Sequence, residues 1–254
     1  MKTLREVDIQ PLDPILFQGV DAVSRAICFM EEKKLGHGGY SHMGLAVTRE
    51  ILDLPFLEPG KLYVWESTLS AKEGFWAKFT DRVPDAETEG VRFGVQLRDL
   101  EMVIPGYEAA GGRVAWASYH GPRPSLEAMR RELMALYDEY GHSQYTSNLL
   151  NVFGVVFPAL RSARDLANRA EDRMAHFMNN VLARADNAER VKDADHHLFC
   201  SQWCATVYTR LGMAMKDSDP LLAAPVDVIA HTEYFREPVP LVSETQPAEE
   251  SEPR

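Results

Sequence analysis

The chain has 254 residues, enough for one large domain with a sizeable core or for two small ones. Apolar residues make up 45% and charged residues 26%, the composition of an ordinary globular protein. Twenty-seven Lys and Arg against 38 Asp and Glu leave a net charge of -11, which speaks against nucleic-acid binding and against a polybasic membrane patch, since both need clustered excess basic side chains.

The opening MKTLREVDIQPLDP carries Asp and Glu and no apolar run, so it does not read as a signal peptide. No segment approaches the roughly 18 consecutive apolar residues of a membrane span. Residues 14–18 (PILFQ) read as a short strand. Val20, Val23, Ile27 and Met30 stand at helical spacing ahead of the glycine cluster Gly36–Gly39. Two strands follow, SHMGLAV (41–47) and KLYVWES (61–67), then GVQLRDL (94–100) and RVAWASY (113–119). From Ser125 the pattern turns helical. Ser125 is an N-cap candidate ahead of a stripe of Leu126, Met129, Leu133, Leu136 and Tyr140, and Gly141 ends it. A second helical stretch spans 161–190, with Leu166, Ala170, Met174, Phe177 and Val181 in its stripe. A third starts near Cys200 and stops at Gly212, with Trp203, Cys204, Val207 and Leu211 on its apolar side. Strands in one block and helices in others predict an α+β fold with an antiparallel sheet packed against helices. The expected organisation is one domain over 1–242, with a helical insertion over about 150–195, and a disordered acidic tail over 243–254.

Chemistry concentrates at two places. Along SHMGLAV, His42, Gly44 and Ala46 share one face; along KLYVWES, Leu62, Val64 and Glu66 do. An antiparallel hairpin pairing His42 with Glu66 puts the two side chains about 5 Å apart. A carboxylate there holds the imidazole tautomer and stabilises the imidazolium. The other place is FCSQWCATVYTRLG, where Cys200 opens a helix and the free N–H groups of the first turn favour a thiolate. Cys204, on the apolar stripe, and Cys28, in an apolar stretch, read as core. Three cysteines make no disulfide framework, so a reduced, cytoplasmic setting is expected. His37, His42, His196 and His197 match no compact zinc spacing, and neither a metal nor a cofactor is expected.

Taken together, DPILF, SRAI, SHMGLAV, the strand ending in WES, GVQLRDL, Tyr145 in GHSQYTS, FCSQWCATVY and APVDVIAH resemble the circularly permuted branch of the NlpC/P60 papain-like superfamily, over residues 13–235. That resemblance implies a permuted papain-like fold with the His strand ahead of the Cys helix. It also implies a cysteine hydrolase acting on an amide, of peptide or peptidoglycan type, or on an ester through a thioester. The nucleophile falls on Cys200, the base on His42 and the orienting acid on Glu66, with Tyr145, Ser41 and Ser201 as substrate-binding residues. Two positions depart from the family pattern. Its Gly-Asp opening reads Leu12-Asp13, and its Tyr-Asp pair reads Tyr145-Thr146. The expected partner is a small-molecule or peptide-like substrate. A related branch transfers fatty acyl groups, and Met174, Phe177 and Met178 would suit an acyl groove; a non-catalytic papain-fold binding protein is the third reading.

Overall fold

The computed structural model describes residues 1–20, 24–25, 28–29, 39–70, 83–88, 92–141, 144–145, 197–198, 200–213, 229 and 233–244. Six strands form one antiparallel sheet: β1 (Pro14–Gln18), β2 (His42–Val47), β3 (Tyr63–Ser70), β4 (Arg92–Asp99), β5 (Arg113–Trp116) and β8 (Val239–Leu241), in the order β4-β3-β2-β1-β5-β8. Two further short strands, β6 (Gln144–Tyr145) and β7 (His197–Leu198), pair in parallel beside β3 and β4. The helices among the described residues are α1 (Leu100–Ala109), α2 (Leu126–Tyr140) and α3 (Cys200–Arg210). The architecture is α+β.

Strand alternation divides the core in two. Leu16, Met43, Leu45, Trp65 and Ala115 point into one cluster, shared with Met129, Leu133 and Leu136 of α2 and with Trp203, Cys204 and Val207 of α3. Their neighbours Ile15, Phe17, Ala46, Val64 and Val114 point into the other, shared with Leu100, Val103 and Ile104 of α1. A period of two makes this sorting automatic, and β2, buried along its whole length, is apolar on both faces beyond its first residue, His42.

α2 follows its sequence signals. The Ser125 hydroxyl accepts from the Ala128 N–H at 3.3 Å, and the Gly141 N–H donates to Tyr137. Its stripe is narrower than the periodicity suggests: Leu126 is exposed, so Met129, Leu133 and Leu136 carry the packing. α3 also appears where expected, although Leu211 lies just beyond it and Gly212 turns the chain with φ +65°. α1 was not legible. Val103, Ile104, Pro105 and Gly106 all have poor helix propensity. The helix forms because Asp99 caps the Glu101 N–H and because Leu100, Val103 and Ile104 are buried as an i, i+3, i+4 stripe. Of the helix expected over 20–30, Ser24–Arg25 and Cys28–Phe29 are helical, Val20 is exposed, and Val23, Ile27 and Met30 lie outside the described residues. The 161–190 stretch, with Met174, Phe177 and Met178, also lies outside them, as does the tail from 245. Ser243 and Glu244 contact Glu108 and Arg5.

At the head of β1, Leu12 adopts φ +69°, the left-handed region that favours glycine. It is wholly buried, its N–H donates to Ala46 O, and its carbonyl accepts from the Tyr208 hydroxyl at 2.7 Å. Asp13 beside it is a buried hub, accepting from Trp116 Nε1, the backbone N–H groups of Tyr119 and Gln10, and Arg123 Nη2.

Candidate active site

β2 and β3 bring His42 and Glu66 together, with a correction to the expected register. Ala46 pairs with Val64 and Leu45 with Trp65, so continuing the ladder sets Gly44, not His42, opposite Glu66. The shift is two residues. It therefore keeps the same face and converts a direct cross-strand pair into a diagonal one. Glu66 must cross in front of position 44 to reach His42, and glycine leaves that path open. A Cβ on Gly44 would collide with the Val64 side chain and lie 2.9 Å from Glu66 Cβ.

Along this path His42 Nε2 meets Glu66 Oε2 in a buried ion pair. The imidazole also packs on Phe17, ring centroids 5.2 Å apart. Glu66 Oε1 accepts from Arg98 Nε at 2.6 Å, and both side chains are buried. Arg98 sits on β4 opposite Val64, and Gln96 lies opposite Glu66. Gln96 Nε2 donates to Thr68 O at 2.9 Å, while its Oε1 has no hydrogen-bond partner among the described residues.

Cys200 is the first residue of α3, and its sulfur lies near enough to the His42 imidazole for the charge of each to act on the other. Burial alone pulls the His42 pKa down. The Cys200 sulfur and the Glu66 carboxylate more than reverse this and push it up to about 10. For Glu66, burial favours the neutral acid, but Arg98 and His42 hold it below its ordinary value of 4.5. Both directions describe the same ionised pair. Cys204, one turn along α3, is fully buried, and burial pushes its thiol well above the usual range, with the charges of Cys200 and Glu66 adding to the effect.

Trp203 anchors α3. Its ring meets Trp65 edge-on, with centroids 4.6 Å apart and planes at 75°, and it lies 5.8 Å from the Tyr140 ring of α2. Successive residues of β3 thus divide the work, Trp65 holding the Cys200 helix and Glu66 holding the histidine.

The remaining sequence candidates fall as follows. Ser41 is buried, and its hydroxyl accepts from the Gly19 N–H at 3.0 Å, so it ties the β1–β2 connection together. Ser201 is buried in the first turn of α3. The backbone of Tyr145 pairs with Leu198, which brings it beside the chain that leads into Cys200. His37 and His196 lie outside the described residues. Among the described residues, no group of three or more His, Cys, Asp or Glu side chains is placed to hold a metal ion, and no helix is long and apolar enough to cross a membrane.

Two contributors escaped the sequence reading, Arg98 and Gly44. The signal for Arg98 was available: Gln96 and Arg98 alternate in GVQLRDL on one face of an otherwise apolar strand, the mark of a polar partner in the sheet. Gly44 carried no such signal, because its role depends on the register. No protein-family model matches the sequence, and no curated protein matches it significantly.

Proposed function

We propose that the protein is a cysteine hydrolase that cleaves an amide or ester bond through a thioester on Cys200, with a permuted papain-like arrangement of its site. The observation that carries this reading is a buried chain of interacting groups, Cys200 to His42 to Glu66, with the cysteine at the start of a helix. A structural cysteine needs neither an imidazole nor a buried acid behind it. The order of the elements, His strand, acid strand, then Cys helix, supports the permuted arrangement.

With Nε2 engaged by Glu66, Nδ1 is the nitrogen left to share a proton with the Cys200 sulfur. The thiolate attacks the substrate carbonyl carbon, and the Cys200 backbone N–H, which has no acceptor within its own helix at the first helical position, stabilises the oxyanion. His42 donates its Nδ1 proton to the leaving nitrogen or oxygen, and the thioester forms. A water then loses a proton to Nδ1, attacks the thioester carbonyl, and releases the acid and the thiolate. The acidic chain favours neutral or cationic substrates, a peptide-like amide among them. A reducing, cytoplasmic compartment suits a thiol nucleophile.

The test is alkylation by iodoacetamide between pH 4 and 9, read for each cysteine by mass spectrometry in wild type and in His42→Ala. The expected result is labelling of Cys200 below pH 7 that moves upward in His42→Ala, with Cys204 unlabelled in the folded protein. Labelling of Cys200 as an ordinary thiol, near about pH 8.5 in both proteins, overturns the proposal.

A further inference from the structure

We infer that Arg98 is a positioning residue of this site: by taking Glu66 Oε1 it fixes the carboxylate so that Oε2 is presented to His42, and through His42 it sets the state of Cys200. The inference rests on the proposed function and adds a member to it.

The geometry carries the argument. Each oxygen of Glu66 has a different cationic neighbour, His42 Nε2 on one side and Arg98 Nε on the other. Arg98 reaches Glu66 diagonally across the β3–β4 ladder, as His42 does across β2–β3, so the acid is gripped from both flanking strands. The side chains of Arg98 and Glu66 are 2% and 0% exposed, so solvent does not screen the contact. Charge supplies the second argument. In the thiolate–imidazolium state the line reads Arg98 positive, Glu66 negative, His42 positive, Cys200 negative, and it sums to zero. Without Arg98 the same buried cluster carries a net negative charge, which the interior disfavours. The titratable groups that act on Glu66 are His42 on β2 and Arg98 on β4, with Cys204 on α3 within reach of its charge. Only Arg98 is a permanent cation. Losing it leaves burial to push Glu66 towards its neutral acid, and a neutral Glu66 no longer supports the His42 imidazolium, which moves thiolate formation to higher pH.

The experiment reads Cys200 alkylation by iodoacetamide against pH, with thermal unfolding alongside, in wild type, Arg98→Met, Arg98→Lys, Glu66→Gln and the double variant Arg98→Met/Glu66→Gln. The expected result for Arg98→Met is an upward shift of about one pH unit or more, about tenfold in thiolate fraction. Arg98→Lys recovers part of it, and the double variant matches Glu66→Gln because Arg98 acts through the acid. An Arg98→Met profile identical to wild type overturns the inference, whatever the loss in thermal stability, because it leaves Arg98 a purely structural partner. If Arg98→Met does not fold, Glu66→Gln and the double variant decide: matching profiles support the inference, and a further upward shift in the double variant overturns it. Wild type with an ordinary Cys200 thiol removes the proposed function itself, an outcome separate from failure at Arg98.

Discussion

At the scale of single residues, the site depends on an absent side chain. Gly44 has no unusual backbone angle among those that favour glycine. Its requirement is space, since Glu66 passes over it on the way to His42. Gly44→Ala forces the Val64 and Glu66 side chains aside. Overpacking of this kind costs about 1–3 kcal/mol, and here part of the displacement falls on the acid. The expected outcome is a folded protein, less stable in urea by that amount, whose Cys200 alkylates more slowly at pH 6 than wild type. Unchanged alkylation in a destabilised Gly44→Ala would mean that Glu66 finds His42 by another path. Leu12 shows the opposite situation. There the backbone is left-handed, the region that favours glycine, yet leucine is present and wholly buried. The left-handed turn costs a non-glycine residue about 1–2 kcal/mol, and burying the leucine side chain returns about 1.5–3 kcal/mol. Leu12 therefore keeps the turn and fills the core from it.

At the scale of elements, β3 couples the helix of Cys200 to His42. Trp65 and Glu66 point to opposite faces, one against Trp203 of α3 and one against His42 of β2. Trp203→Ala removes the ring that seats α3, at a cost of about 3–5 kcal/mol typical of a large core truncation. It is also expected to slow Cys200 alkylation at pH 6, because the helix no longer holds the sulfur against the imidazole. Urea unfolding and the alkylation rate test the two effects separately. The strands that carry this arrangement were readable in the sequence because period-two alternation survives in SHMGLAV, KLYVWES and GVQLRDL. The His42–Glu66 contact was readable too, since a slip of two residues preserves the face. The register was not readable: Gly44, Ala46, Val64 and Leu62 make acceptable pairs either way, so nothing local chooses between them. α1 stayed hidden for a different reason. Its stability comes from tertiary burial of Leu100, Val103 and Ile104 rather than from propensity.

At the scale of the whole molecule, two buried carboxylates pull the acid stability in opposite directions. Glu66 is held below its ordinary 4.5, so the stability it contributes is present above pH 4.5 and is lost as pH falls through the folded-state value. Asp13 is pushed above its ordinary 3.8 by burial, so the folded state binds its proton more tightly than the unfolded chain and gains from acid. Glu66→Gln leaves Arg98 buried against a neutral partner, at a cost of about 3–5 kcal/mol near neutral pH. That gap from wild type is expected to narrow as pH falls below 4.5, measured by urea unfolding between pH 3.5 and 7; a constant gap would mean that Glu66 is not the acid that titrates. The chain order of the site has a consequence of its own. His42, Glu66 and Arg98 lie on strands completed by residue 99, and their sheet neighbours β1 and β5 are complete by residue 116, whereas Cys200 arrives only at residue 200. A chain growing on the ribosome thus completes the strands of His42 and Glu66 long before it reaches Cys200. Cys200 meets His42 only once α3 has docked, so the proposed nucleophile is the last member of the site to find its partner.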